Sequence, residues 1–152
     1  MAKYPVVVYG ASGYTGMLIM DWLIDQQIPF TAVARNAKRV QEMMAERVVR
    51  LESATYEIIE AEHNVAALTQ AFKGARVVCN TVGPFVNFGL TTVEAALEAG
   101  CHHIDTTGEQ GYIRSVRDRF GDLYAQAGLL VAPSTAYMYT FAEIAAELAL
   151  ET

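Results

Sequence analysis

The chain has 152 residues, a length that suits one domain, and 53% of them are hydrophobic, enough for a sizeable core. Its formal net charge of −6 argues against nucleic acid or an anionic membrane as the main partner. No signal-peptide pattern follows Met1, and no segment reaches the ~20 apolar residues of a membrane span. With only two cysteines present, we expect a cytoplasmic, reducing setting and no disulfide framework.

The first strong pattern joins a strand, a glycine loop and a helix. The β-branched run Val6–Tyr9 predicts a buried parallel strand, and residues 17–24 predict an amphipathic helix. In such loops the first glycine makes the turn, the second lets backbone amides approach a pyrophosphate, and the third lets the helix pack on the strand. The helix N-terminus adds partial positive charge. The predicted phosphate loop comprises Gly10, Ala11, Ser12, Gly13, Tyr14, Thr15 and Gly16.

The end of the second predicted strand, Phe30–Ala34, indicates which dinucleotide binds. In a dinucleotide-binding fold an acidic residue here bonds the 2′-hydroxyl of NAD, whereas an arginine suits the 2′-phosphate of NADP. This chain has Arg35 and Asn36 at that position, followed by Lys38 and Arg39, and no acid. We therefore predict NADP rather than NAD, with Arg35, Asn36 and Arg39 as contacts. Alternatively, Lys38 and Arg39 form the solvated face of the next helix.

Two further loops follow the third predicted strand, residues 56–59, and the fourth, residues 76–80. Glu62 is a candidate neighbour of the adenine ring, and His63 is expected at the surface where a helix starts rather than as a metal ligand. After the strand over residues 76–80, small and turn-forming residues lie where ligands bind in open α/β sheets. The candidates in this loop are Thr81, Val82, Gly83 and Pro84. The alternative is an ordinary turn.

A fifth predicted strand, residues 101–105, ends in a polar loop at the same edge. Asp105, Thr107 and Glu109 are candidates for lining the reacting end of a pocket, although Asp105 suits a structural role equally well. His102 and His103 would point to opposite faces of this strand, so they cannot chelate one metal from regular positions. No metal site is predicted.

The alternation of strands and helices predicts an α/β fold, a Rossmann-type doubly wound parallel sheet. It would have about six strands in the order 3-2-1-4-5-6, with helices on both faces. The pattern places helices at about residues 37–47 and 65–72, from Asn87 or Gly89 to a C-terminal cap at Gly100, from Gln110 to the glycine at 128, and over residues 141–150. Residues 129–132 are the sixth strand, and residues 48–52 are ambiguous between helix and turn.

Together, the glycine loop, the loop at residues 80–85, the helix end at residues 95–100 and the segment 105–109 resemble the NADP-binding domain of the saccharopine dehydrogenase-like oxidoreductases. The resemblance covers essentially the whole chain. It implies that residues 10–16 hold the pyrophosphate, that Arg35 meets the 2′-phosphate, and that residues 80–85 pass beside the nicotinamide.

The resemblance also implies a division of the chain. Residues 1–135 would be the dinucleotide-binding domain, and residues 136–152 a helix leading into a substrate and dimerisation domain absent from this sequence. An apolar face on that helix would favour a homo-oligomer. Hydride transfer to a small-molecule substrate would then require the second domain.

The sequence lacks the catalytic residues of two other classes of reductase. Semialdehyde-type reductases place a cysteine shortly after the sixth strand, and residues 133–139 contain none. Short-chain dehydrogenases need a tyrosine four residues before a lysine, a spacing that is absent here. A non-catalytic NADP(H)-sensing or protein-interaction module stays open as the alternative function.

Overall fold

A computed structural model describes residues 1–47 and 51–151. The strands are β1 Val6–Tyr9, β2 Phe30–Ala34, β3 Tyr56–Glu60, β4 Val77–Asn80, β5 His102–Asp105 and β6 Val131–Ala132. The helices are α1 Tyr14–Asp25, α2 Ala37–Arg47, α3 Val65–Phe72, α4 Phe85–Glu98, α5 Gln110–Gln126 and α6 Tyr137–Leu150. A short 3-10 turn covers Leu51–Ser53.

The six strands form one sheet in the order β3-β2-β1-β4-β5-β6, and every neighbouring pair is parallel. Central strand β1 pairs with β2 and β4, with Val8 opposite Ala32 on one side and Cys79 on the other. This arrangement confirms the predicted Rossmann-type topology. Because all the strands run the same way, the loops that follow β1, β2, β3 and β4 meet at one edge of the sheet.

Side chains of β1 alternate between two apolar clusters, as the period of two in a strand requires. Val7 and Tyr9 pack in a cluster with Leu68 and Phe72 of α3 and with the alanines of α4. Val8 packs on the opposite face in a cluster with residues of α1 and α2. Both faces of the sheet are therefore covered, as predicted, and the central strand is fixed between them.

Helix α4 begins at Phe85, earlier than the predicted start at Asn87 or Gly89. The Glu109 carboxylate accepts hydrogen bonds from the backbone N–H groups of Phe85, at 2.8 Å, and Val86, at 2.7 Å. A carboxylate at a helix N-terminus satisfies unpaired amides and suits the helix dipole. The prediction was wrong because the capping group is distant in sequence and follows another strand.

Other boundaries also differ from the prediction. Strand β6 has two residues, Val131–Ala132, rather than four. The Leu129 and Leu130 amides donate instead to the Tyr124 carbonyl and to Nδ1 of His102. Helix α6 begins at Tyr137, close to the start of the segment 136–152 predicted as a C-terminal helix and four residues before the apolar run at 141–150. The ambiguous segment lies partly outside the described residues, at 48–50.

Helix α6 carries no buried residue among those described. Its large apolar side chains are exposed, and Tyr139 rests on Gly108 in the loop after β5. The apolar face predicted for this segment is therefore present and uncovered in this structure. None of the helices in the described part of the chain is long and apolar enough to cross a membrane.

Asp105 ties the ends of β5, β6 and α5 together. Its buried carboxylate accepts hydrogen bonds from the Thr107 amide at 3.1 Å, the Ser134 amide at 3.0 Å and the Tyr112 hydroxyl at 2.7 Å. Burial raises the pKa of this carboxyl, and the three donors lower it in part. The neighbouring His103 is fully buried and burial lowers its pKa to about 3, so the contact of 3.9 Å to Asp105 involves a neutral imidazole.

The packing of α4 on α5 predicts opposite effects of alanine at two helical glycines. A methyl group on Gly89 would overlap the Tyr112 ring, whereas one on Gly121 would meet nothing within 4 Å. We expect Gly89→Ala to lower the free energy of unfolding by about 1–3 kcal/mol through overpacking. Gly121→Ala should raise it by up to about 1 kcal/mol through helix propensity. Urea denaturation of both variants checks this, and a stabilised Gly89→Ala chain would contradict the described α4–α5 contact.

The hydrogen bonds to the Asp105 carboxylate predict that replacing Asp105 lowers the stability of the chain without a selective loss of ligand binding. Asp105→Ala leaves three donors without their acceptor, and each buried unpaired group costs about 1–3 kcal/mol, so we expect a loss of about 3 kcal/mol or more in unfolding free energy. Asp118→Ala is the control, because Asp118 forms only an exposed pair with Arg117, worth about 0–1 kcal/mol. Thermal denaturation measures the loss. A selective loss of ligand binding with unchanged stability would instead favour the pocket-lining role for Asp105.

Candidate functional site

A cleft of about 280 Å³ opens at the edge of the sheet where the loops after β1, β2, β3 and β4 meet. These loops are brought together by the parallel strand order alone, since they are far apart in sequence. The cleft is lined by Tyr9, Gly10, Ser12, Gly13, Ala34, Arg35, Arg39, His63, Thr81, Val82, Gly83 and Phe88. Its position is the one predicted for a dinucleotide at the carboxyl edge of an open α/β sheet.

The glycine loop is close-packed against the chain around it. Gly10 has a φ of +90° and its amide donates to the Val33 carbonyl at 3.0 Å, which sets the turn out of β1. A methyl group on Gly16 would overlap the carbonyl oxygen of Gly10, so α1 packs directly on the loop. A methyl group on Gly10 would collide with Thr81 Oγ1. These contacts require glycine, as the phosphate-loop interpretation expects for the first and third positions.

Helix α1 begins at the cleft with its first-turn amides free of a side-chain cap. Its N-cap residue is Gly13, which has no side chain that could accept a hydrogen bond from them. The first N–H groups of a helix have no partner within the helix, and together with the dipole they favour an anion. By contrast, Glu109 already occupies the N-terminus of α4. The N-terminus of α1 therefore provides a position for a phosphate.

Two arginines lie at the end of the cleft beside β2. Arg35 and Arg39 are exposed and line the cleft. Lys38 lies outside the lining, and its Nζ is 3.8 Å from Oε1 of Glu42 in an exposed ion pair. Asn36, a predicted contact, instead caps α2, since its Oδ1 accepts a hydrogen bond from the Arg39 amide at 2.9 Å. Planar guanidinium groups suit phosphate oxygens. The cleft thus presents two cations to a ligand anion.

His63 belongs to the cleft, a position that sequence reasoning missed by placing it at the surface. It is partly buried, its Nδ1 lies 2.7 Å from the Tyr9 hydroxyl, and its ring plane is nearly parallel to that of Tyr9, with an angle of 8° between them. Phe88 packs edge-on against it, with ring centroids 5.2 Å apart. Burial and then the Arg35 charge lower the pKa of His63. The sequence feature that could have indicated this position of His63 was a tyrosine, instead of an aliphatic residue, at the end of β1.

The loop after β4 lines the cleft beside the glycine loop. Thr81 Oγ1 donates to the Tyr9 carbonyl at 2.9 Å, and the Val82 amide donates to Asn80 Oδ1 at 2.9 Å. Thr81, Val82 and Gly83 line the cleft, whereas Pro84 lies outside it and is the N-cap of α4. Three of the four candidates in this loop therefore lie where a ligand would contact them.

The remaining candidates lie around or below the cleft. Ala11 and Gly16 are buried beneath the loop, whereas Tyr14 and Thr15 are exposed in the first turn of α1 and Glu62 is exposed after β3. Asp105 and Thr107 are buried and bonded to neighbouring residues, and Glu109 caps α4. None of these eight residues belongs to the lining of the cleft.

Metal ligands do not cluster in the described part of the chain. Residues 1–47 and 51–151 contain no group of three or more His, Cys, Asp or Glu side chains that could hold a metal ion. His102 and His103 differ in exposure, with His103 fully buried, which agrees with their predicted projection to opposite faces.

Comparison with known proteins gives several related chains. A lipid droplet localized protein of Caenorhabditis elegans is 29% identical over 138 residues, which are 86% of this chain and 32% of that protein. A saccharopine dehydrogenase-like oxidoreductase of Mus musculus is 28% identical over 147 residues, 88% of this chain and 34% of that protein. The chain thus spans about a third of the length of these relatives. The relatives named saccharopine dehydrogenase-like oxidoreductase confirm the resemblance found in the sequence.

Among solved structures, the apo saccharopine dehydrogenase (L-Glu forming) of Saccharomyces cerevisiae has the same fold. The match has a TM-score of 0.68 at 17% identity and covers 87% of this chain and 27% of that one. The family model described as NAD(P)H-binding matches residues 10–146, which include the glycine loop and every loop of the cleft. The chain therefore belongs to the NAD(P)H-binding family.

Proposed function

We propose that this chain is the NADP(H)-binding domain of a hydride-transferring oxidoreductase of the saccharopine dehydrogenase-like kind. The observation that carries the proposal is the junction of two anion sites in one cleft: the uncapped N-terminus of α1, and Arg35 with Arg39 beside the end of β2. A dinucleotide with a 2′-phosphate has anionic groups suited to both. NAD would engage the first site and leave the arginines without a phosphate.

The electrostatics of the cleft support an anionic ligand. The chain as a whole carries a formal charge of −6, yet the cleft is lined by two arginines and no carboxylate. Helix dipole and guanidinium charges act together there, because both favour negative charge at the same end of the sheet. We infer that the diphosphate lies over the glycine loop and that the 2′-phosphate lies between the two arginines.

The cofactor supplies the reactive group, and the role of this chain is to position the cofactor. A bound nicotinamide supplies hydride chemistry, and the protein contributes binding, orientation and electrostatics. The loop at Thr81, Val82 and Gly83 forms the wall along which the nicotinamide half would extend. The relatives are about three times longer than the matched region, so we propose that contacts to substrate come from sequence outside it.

Substitution of Arg35 should separate the two cofactors. We expect Arg35→Ala to weaken NADP⁺ binding about 10- to 100-fold, because hydrogen bonds to charged groups contribute about 1.5–3 kcal/mol, and to change NAD⁺ binding little. Isothermal titration calorimetry with both nucleotides measures this. Arg76→Ala is the matched control, since Arg76 is exposed at the opposite end of the strands. Equal losses for NADP⁺ and NAD⁺ would remove Arg35 from the 2′-phosphate site.

Substitution of Gly16 should weaken both cofactors alike. Gly16→Ala forces α1 away from the Gly10 carbonyl, so the first-turn amides lose their position over the loop. We expect at least a tenfold weaker binding of NADP⁺ and NAD⁺ by the same titration, because the diphosphate is common to both. Gly111→Ala in α5 is the control, since a methyl group there meets nothing within 4 Å. Unchanged affinity in the folded Gly16→Ala chain would show that the loop holds no diphosphate.

A further inference from the structure

Tyr9 and His63 form a side-chain pair that the phosphate and arginine sites do not use. The Tyr9 hydroxyl lies 2.7 Å from Nδ1 of His63, and the two residues come from β1 and from the loop before α3. Tyr9 is 2% exposed, so the core around α3 and α4 fixes its ring. The imidazole is thus held in one orientation by a buried group.

The tautomer of His63 follows from this contact. Burial raises the pKa of Tyr9 to about 12, so its hydroxyl keeps its proton at neutral pH and can donate or accept a hydrogen bond. His63 is its one side-chain partner among the described hydrogen bonds, so the tautomer in which Nδ1 accepts the hydroxyl proton, with the imidazole hydrogen on Nε2, leaves neither the proton nor Nδ1 unpaired. Burial and the Arg35 charge both disfavour the imidazolium. His63 is therefore a neutral ring with an Nε2–H donor.

Nε2 has no hydrogen-bond partner among the described residues and is shielded from solvent. An unpaired buried donor costs about 1–3 kcal/mol, which an acceptor on a ligand would recover. The imidazole lines the cleft, and the Tyr9 and Phe88 rings flank it. An aromatic wall with one uncharged donor suits a planar nitrogen heterocycle better than a phosphate.

We propose that Tyr9 orients His63 as a neutral Nε2–H donor to a ring nitrogen of the purine base, which makes His63 a positioning and specificity residue of the cleft. This inference rests on the proposed binding of NADP(H). Phe88, which is 37% exposed, packs on the imidazole and has to rotate as the base enters. His63 then contacts the base, while the arginines contact the 2′-phosphate.

The groups that face this pair oppose protonation of His63. Arg35 lies on its side of the cleft, Tyr9 occupies Nδ1, and Arg39 adds a second positive charge to the same lining. The carboxylate of Glu62 acts on Tyr9 and raises the pKa of its hydroxyl, which keeps the donor protonated. Protonation at Nδ1 would break the bond that Tyr9 donates. The pair should consequently stay neutral across the physiological pH range.

The tautomer can be measured on the free chain. Nitrogen-15 NMR of the histidine rings at pH 7 should show His63 protonated at Nε2 and not at Nδ1, and the ring should titrate at a lower pH than an ordinary histidine. Tyr9→Phe removes the donor, and His63 should then populate both tautomers and titrate at a higher pH than in the unaltered chain. Tyr56→Phe on β3 is the matched control and should leave the His63 signals unchanged. A Nδ1-protonated or charged His63 in the unaltered chain at pH 7 would overturn the proposal.

Binding of the purine half is the second test. His63→Phe keeps the aromatic ring and removes the donor, so it should weaken NADP⁺ and adenosine 2′,5′-bisphosphate by the same factor, about three- to tenfold. His63→Gln restores an N–H donor and should recover most of the affinity. Titration is done at pH 8, where the 2′-phosphate is fully ionised.

The outcomes separate this inference from the function on which it rests. If the unaltered chain binds NADP⁺ and the folded His63→Phe chain binds it equally well, the role of His63 is wrong and the NADP(H) site stands. If His63→Phe affects NADP⁺ but not adenosine 2′,5′-bisphosphate, the donor does not serve the purine half and the proposal also fails. If the unaltered chain binds neither ligand, the proposed function fails together with the proposal.

Discussion

The close contact between Gly10 and Gly16 is the constraint on which the cleft depends. The absence of a side chain on Gly16 lets the first turn of α1 pack on the Gly10 carbonyl, and the positive φ of Gly10 turns the chain out of β1 in the required direction. Glycine adopts such a conformation without steric cost. The helix N-terminus consequently points over the loop, and β1 is held between β2 and β4.

The helix N-termini at this end of the sheet differ in their side-chain caps. Glu109 supplies two acceptors to α4, and Asn64 caps α3 through the Ala67 amide. The N-cap of α1 is a glycine and offers no side chain. A helix end without a side-chain partner leaves amides for another acceptor. Because the N-cap of α1 also lines the cleft, we assign the anion to α1 and a structural role to Glu109.

Local patterns were sufficient for most of the fold. The β-branched run before Gly10, the glycine spacing and the alternation of strands with helices predicted the strand order, which the structure confirms. The start of α4 escaped prediction because Glu109, its cap, lies beyond another strand. The role of Asp105 depends equally on donors from separate elements, Tyr112 and Ser134. Periodicity within one segment cannot show such contacts.

The same distinction between local patterns and contacts across the fold applies to the candidate site. The three glycines and Arg35 could be proposed as site residues from their position relative to a strand, because that position is defined by local sequence. The place of His63 in the cleft could not, since its contacts are with Tyr9 on β1 and Phe88 on α4, which the fold brings to it. Asn36 lies at the predicted position but caps α2, a use that competes with contact to a ligand.

In the proposed complex, a dinucleotide lies across the cleft with its diphosphate on the first turn of α1. Backbone amide chemical shifts recorded by ¹H–¹⁵N NMR during titration with NADP⁺ test it most directly. We expect the largest changes at Gly13, Tyr14, Thr15 and Gly16, with a second group at Arg35 and Arg39. Changes confined to the exposed helix α6, or to the amides that Glu109 caps on α4, would contradict it.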